Sequence, residues 1–468
     1  PRSTLFPYTT LFRSRSADTC NTDIAGDFGA VYVDYANDQT VPINISTYVW
    51  LNSPKMIIDY LYGGCQMSNV YRSTWVQMGN GHVGTVYGGC NISGDVGSNY
   101  WYPTSEQPWT FGPKSEKYQA VKGATYVKVS GGRVYKDVFA GSNGRYHCNN
   151  GKLYVSGINF DNLDTEERYV GMTVPTHNET HVFVTGNALV KGSVYAGGNM
   201  ACVGFIKETV IPSNNCPRFV GMATVRMNGG EVQGNVFGGG NMASIWGSNG
   251  VSVEGGTIEG ALYGGNDRIG LVAQITNRVL PPSYGKASDN YTSLEDVRTY
   301  ISITGRPVVN TVYGGGNGDY DYSIGQYCNP NDQPVQSNTF VDVNIDGYAD
   351  GLLQPGHIHT VYGGGNGVTV TGTTTVFLNV KGDPNNGTVA QGDHVDFIFG
   401  GNNKGPLAIL PDIILLKGNV NTVYGGCNQG SMIGNHSVDN TYHNIGSLVR
   451  LRSSYPGVNN TTVTPTAV

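Results

Sequence analysis

A seven-residue motif, Thr360-Val361-Tyr362-Gly363-Gly364-Gly365-Asn366, constrains this chain more than any other feature. Nine further versions occur, with their aromatics at Tyr62, Tyr87, Phe139, Tyr195, Phe237, Tyr263, Tyr313, Phe399 and Tyr424. The ten aromatics are separated by 25, 52, 56, 42, 26, 50, 49, 37 and 25 residues. A unit of about 25 residues, lengthened by insertions, accounts for the series, and periods of that size belong to solenoids. The residue before the aromatic is always aliphatic, from Leu61 to Val423. Neighbours in a strand point to opposite faces, so one of the pair faces a core and the other stacks outside or at a corner. The glycines after the aromatic, Gly364 among them, are expected to supply φ > 0 and close backbone approach at a sharp corner. Asn stands four after the aromatic in eight copies, at Asn91, Asn143, Asn199, Asn241, Asn317, Asn366, Asn403 and Asn428; Gln66 and Asp267 take the other two. An Asn repeated at one turn site is expected to stack as a ladder of amides. A phosphate-binding glycine loop would need a following helix and a Lys-Ser/Thr, and neither appears.

Two consecutive windows, 224–241 and 251–267, each show three short extended runs broken by Gly-Gly, then Gly, then the motif. The first run alternates with period two, as in Tyr126-Val-Lys-Val129 and Ile301-Ser-Ile303. The second is brief and centres on Val134, Val190, Val232, Ile258 or Val308; the third is the aliphatic–aromatic pair. Three strands and three corners per turn of about 25 residues describe an all-β chain, a parallel β-helix with loop insertions. A propeller would need blades of about 40–50 residues, which the copies 25 apart do not allow. Helical patterning is weak, with a turn or two expected only over 292–301. Insertions are expected at 97–118, 144–178, 201–219, 268–299, 318–338 and 383–394, where recognition by a rigid scaffold would reside.

Composition narrows the function classes. Gly is 68 of 468 residues and charged residues are 13%, so Asn, Ser, Thr and Gly must solvate the surface. A net charge of −6 without basic clusters argues against nucleic acid as a partner. No stretch of 18 apolar residues is present, so no membrane-spanning helix is expected. Residues 17–58 are expected to form an N-terminal cap or atypical first coil, 59–452 the solenoid, and 453–468 a Pro/Thr-rich linker to a missing C-terminal region. The opening segment, 1–16, is unlike the repeats and resembles a translated sequencing-adapter artefact; the true start, with any export signal, is expected to be missing.

The motif versions Gly-Asn-Val-Phe-Gly-Gly-Gly-Asn (234–241) and Thr-Val-Tyr-Gly-Gly-Gly-Asn (360–366) resemble the repeats of large surface proteins of gut Bacteroidota. More broadly the chain resembles right-handed parallel β-helix passengers of adhesins and autotransporters and the pectin-lyase-like superfamily. The resemblance implies an exported protein of the bacterial cell surface, non-enzymatic, acting as a stalk or adhesin-like module. Its partners would be glycans or host surface proteins.

The alternative it raises is a carbohydrate-active β-helix enzyme, a polysaccharide lyase or glycoside hydrolase. Hydrolysis needs paired carboxylates. Polygalacturonase-like motifs are not assembled here: Asn21-Thr-Asp23 occurs, but no Asp-Asp or Gly-His-Gly follows. No catalytic residue and no cofactor is assigned. The segment Gly315-Gly-Asn-Gly-Asp-Tyr-Asp321 approaches a calcium nonapeptide, but its acids fall either side of the required place and the motif is not iterated. No metal ligand set is assigned; His357-Ile-His359 could put two rings on one strand face but has no evident third ligand. The ligand-binding candidates are Tyr100, Trp101, Tyr102 and Trp109, an aromatic cluster outside the repeat whose rings suit sugar faces. Among eight cysteines, Cys65, Cys90 and Cys427 take the third-glycine slot as small buried residues, and Cys202 and Cys216, bracketing one insertion, are the disulfide candidates.

Overall fold

A computed structural model describes residues 46–66, 70, 73–91, 96, 124–144, 146–149, 152–155, 179–203, 205–206, 218–219, 221–273, 298–321, 334–336, 338–407, 411–431, 435–438, 441–444 and 448–451. Among them all regular structure is β, and 23 strands join one sheet whose strand pairings are parallel. Three short antiparallel pairs stand apart from it: Tyr146–Asn149 with Lys152–Val155, Phe205–Ile206 with Arg218–Phe219, and Asn435–Val438 with Thr441–Asn444.

Each repeat pairs with the equivalent residues of the next. The motif aromatics are in register from Tyr62↔Tyr87 through Tyr263↔Tyr313 to Phe399↔Tyr424. The first run is in register from Val49↔Val76 to Ile413↔Val449, and the second from Ile58↔Val83 to Val395↔Val420. These columns carry the aliphatic core. Val76, Val127, Val182, Val83, Val134, Val86, Val236 and Ile301 have no exposed surface, and they belong to one continuous cluster. Full burial of a Val or Ile side chain stabilises by roughly 1.5–3 kcal/mol, and no repeat can bury its own face without a neighbour.

Several details depart from the sequence reading. The first and second runs merge into single strands in Thr47–Tyr62, Thr74–Tyr87, Gly221–Val232 and Ile245–Tyr263. In the last two of these the corner survives as a left-handed glycine, Gly230 at φ 78° and Gly256 at φ 91°, with a register shift in the pairing. Thr47–Tyr62 pairs in parallel with Thr74–Tyr87, with register shifts at Asn52, which leaves the reading of 17–58 as a cap or atypical first coil standing. Residues 298–305, where a turn of helix was expected to end, form a strand.

The second run was expected to centre on Val308, but that residue is 61% exposed and Val309 takes the core position at 3%. The corner between Ile303 and Val309 is one residue longer than that between Val253 and Ile258. A one-residue change exchanges the two faces of a strand.

A fourth parallel column was not anticipated. Val203↔Ile245, Ile245↔Val272, Val272↔Gln336, Gln336↔Val370 and Val370↔Leu407 follow the Asn corner. Parts of 201–219, 268–299 and 318–338 are therefore sheet and not loop. Each repeat contributes only one or two residues to this column, too few for a periodic signal.

The strand starts hold a further unanticipated device, a column of buried Thr. Thr180 Oγ1 donates to the Ala196 carbonyl at 2.5 Å, Thr339 to Gly363 at 2.6 Å and Thr374 to Gly400 at 2.5 Å. Asn249 replaces Thr in one repeat and reaches Gly264 O through Nδ2. Each of these three hydroxyls satisfies a carbonyl that the glycine corner would otherwise leave buried without a donor.

Candidate functional site

The motif corner is a continuous stack of rings beside a line of amides. Centroids of the ten motif aromatics follow one another at 4.7–5.1 Å with interplanar angles of 4–13°. The amide Nδ2 of Asn143 donates to Asn91 Oδ1 at 3.0 Å, Asn199 to Asn143 at 2.9 Å and Asn241 to Asn199 at 2.8 Å. The pattern resumes with Asn366 to Asn317 at 3.2 Å, Asn403 to Asn366 at 3.0 Å and Asn428 to Asn403 at 2.9 Å.

Between the two runs stands Asp267. It accepts from Asn317 Nδ2 at 2.9 Å, from the Tyr320 hydroxyl at 2.6 Å and from the Tyr195 hydroxyl at 3.0 Å. An ionised carboxylate has no proton to pass on, and Asn241 Oδ1 is left buried without a donor. Burial pushes the Asp267 carboxyl pKa up, opposed by its hydrogen bonds from Tyr320, Asn317 and Tyr195 and by nearby Arg268.

The corner glycines are there for space. Gly364 does not have a positive φ, so the expected backbone strain at this position is corrected. A Cβ there would overlap Asn402 Oδ1 and lie 2.9 Å from Asn402 Cγ. Asn402 is wholly buried, accepts from Gly365 N at 2.9 Å and donates to Pro406 O at 2.8 Å, so it cannot yield. The left-handed residues lie after the Asn, at Gly144 (φ 74°) and Gly367 (φ 73°).

The most chemically equipped exposed cluster is His357, His359 and Asp396. The strand Ile358–Tyr362 pairs with Val395–Phe399 in a register that sets Ile358 beside Val395, so His359 and Asp396 neighbour each other on the outer face. His357 Nε2 lies 2.8 Å from Asp396 Oδ1, and His359 Nδ1 lies 2.6 Å from Oδ2. Both imidazoles are 48% exposed, and His359 meets the Phe397 ring edge-on. Hydrogen bonds from the two imidazoles hold the Asp396 carboxyl below the usual carboxylate range. A carboxylate orienting two imidazoles can relay protons, but the imidazoles share one acid, whereas glycoside hydrolysis needs two. Among the described residues no group of three or more His, Cys, Asp or Glu is placed to hold a metal ion.

Behind this cluster His394 is buried, with Nδ1 accepting from Asn419 N at 3.1 Å and Nε2 near Gly347 O at 3.4 Å. Burial pushes its pKa down, and the neighbouring His357 adds to this, against the Gly347 carbonyl and Asp393. The unfolded imidazole protonates near pH 6.5 and the folded one only at lower pH. The unfolded chain therefore binds more protons in that window, and stability falls as pH drops below about 6.5 through the folded value. Urea midpoints measured at pH 7.5, 6.5 and 5.5 should decline in the parent, and more shallowly in His394→Gln. Parallel curves would remove His394 from the account.

The other assigned residues fall as follows. Tyr100, Trp101, Tyr102, Trp109 and Cys216 lie outside the described residues, as do 1–45 and 452–468. Cys202 is buried, which pushes its thiol up to about 11. Cys90 is buried while Cys65 and Cys427 are half-buried; Cys90 Sγ lies 3.4 Å from Cys65 N and Cys427 Sγ 3.3 Å from Asn402 N. The Cys90 and Cys427 sulfurs thus accept a backbone N–H of the preceding repeat. In the calcium-like segment, Asp319 is paired with Lys404 Nζ at 2.6 Å. Among the described residues no helix is long and apolar enough to cross a membrane. The chain matches no protein-family model, no curated protein and no solved structure.

Proposed function

We propose that the chain is a right-handed parallel β-helix serving as a non-enzymatic stalk or adhesin-like module of a bacterial cell-surface protein. Its insertion loops would recognise glycans or host surface proteins. The observation that carries this reading is the unbroken stack of motif aromatics from Tyr62 to Tyr424. Repeats in register with their successors suit an elongated scaffold, and parallel crossovers favour the right hand. The charge-poor surface, with Asn, Thr and Gly in place of Lys and Glu, suits an exported protein whose contacts are made by loops.

The test is a glycan array and a mucin-binding assay on the parent and on Trp101→Ala/Trp109→Ala. Stacking on sugar puts the expected loss at roughly 0.5–1.5 kcal/mol per ring beyond lost contact area, with the melting temperature unmoved. Equal binding by both proteins, or a large stability loss in the variant, would make these rings core filling. Release of unsaturated or reducing sugars by the parent would move the protein to the enzyme class.

A further inference from the structure

On the outer face of the second column, three adjacent repeats bring cations around one exposed ring. Arg133 and Tyr135 flank the buried Val134; His82 is in register with Arg133 one repeat earlier, and Lys191 follows Val190, which is in register with Val134 one repeat later. Tyr135 is 44% exposed. Lys191 Nζ stands 5.5 Å from its ring centroid and Arg133 Cζ 5.9 Å, while the Tyr135 hydroxyl is 3.4 Å from His82 Nδ1. The exposed Lys136 follows directly. On the earlier side of Tyr135 the neighbour in the column is Gly84, so the shelf beside the ring carries no side chain there.

Lys136 interacts electrostatically with the adjacent Asp137, whereas Arg133 and Lys191 are not ion-paired among the described residues. Arg226, Arg306, Lys381 and Lys404 each have a carboxylate in ion-pair range. The nearest acid in sequence, Asp137, is turned to the Ser193 amide at 2.8 Å. Glu231 lies two repeats from Arg133, in register with Leu189 between them. In a protein of net charge −6, Arg133 and Lys191 beside an exposed aromatic ring, with no ion-pair partner among the described residues, are a local reversal of sign.

We propose that this strip binds an acidic polysaccharide, its carboxylates held by Arg133 and Lys191 and one sugar ring lying on Tyr135. Arg133 is in register with Leu189 and Lys191 lies two residues further on, so the two cations form a diagonal pair with backbones roughly 8 Å apart on one strand face, with Tyr135 between them in the chain order of the strip. The planar guanidinium suits a carboxylate bidentately, and the phenol offers an apolar face to the sugar C–H groups. The proposal rests on the reading of the protein as a glycan-binding surface module, but places a ligand on the scaffold itself and not on the 97–118 loop.

The experiment is calorimetric titration of the full chain with polygalacturonate oligomers, and with maltodextrin oligomers as a neutral control, at 50 and 300 mM NaCl. The parent is expected to bind the polyuronate alone, more weakly at the higher salt. Arg133→Gln/Lys191→Gln should lose about tenfold or more in affinity with an unchanged melting temperature, and Arg133→Lys should recover part of it. Trp101→Ala/Trp109→Ala should bind the polyuronate as the parent does; loss there and not in the Arg133/Lys191 variant would move the site to the loop. No polyuronate binding by the parent, or equal binding by the Gln variant, overturns the proposal. So does equal affinity for dextran sulfate or a single-stranded oligonucleotide, which would make the strip a general polyanion surface.

Discussion

Gly314→Val is expected to cost at least about 4 kcal/mol, whereas Gly250→Ala is expected to be neutral or slightly stabilising. Both glycines lie in or beside strands of the same stack, and neither has a positive φ, so backbone conformation does not separate them. Space does. A Cβ at Gly314 would fall inside the Gly363 carbonyl oxygen of the next repeat and lie 2.9 Å from that carbonyl carbon and 3.0 Å from Val341 Cγ2. Relief would require two repeats to part, breaking the Gly314 N to Tyr362 O bond of 2.9 Å that joins them. At Gly250 the nearest atom to a new Cβ is Tyr300 O at 3.6 Å, an ordinary contact, and Ala removes unfolded-state entropy. Circular dichroism melts and urea midpoints of the two variants measure the difference. Similar midpoints for both would show that close approach is not what the motif glycines supply.

Phe237→Ala should lose about 3–5 kcal/mol, and Tyr424→Ala less than about 1 kcal/mol. The two rings occupy the same column and the same motif position. Phe237 is fully buried, with Tyr195 at 4.9 Å on one side and Tyr263 at 4.8 Å on the other. Its removal opens a cavity between two repeats whose spacing the sheet hydrogen bonds fix, so the neighbours cannot collapse into it. Tyr424 is 47% exposed and has one partner ring among the described residues, Phe399 at 4.7 Å. Urea unfolding of both variants decides the matter. Equal losses would mean that the stack is not held by burial.

Much of the architecture is local and so was legible. A motif that repeats ten times must be met by equivalent surroundings ten times, and period-two runs such as Val341-Asp-Val343 announce which residue faces inward. The aliphatic–aromatic pairs, the Asn positions and the strand character of the first and second runs needed no tertiary information. What the tertiary structure decided is whatever depends on register between segments 25–56 residues apart. One extra residue in the corner after Ile303 turned Val308 out and Val309 in. The fourth column recruits Val203, Val272 and Gln336 from stretches whose local pattern is that of loops. Asp396 completes the two histidines from 37 residues beyond His359, and Lys191 reaches the Tyr135 ring from 56 residues beyond it. The glycines illustrate the division: sequence marked Gly364 as intolerant of a side chain, but only the stacked neighbour, Asn402, shows that the reason is an occupied volume and not a left-handed backbone. Local pattern encodes which face a residue takes; contact between faces is set by chain geometry that insertions of varying length hide.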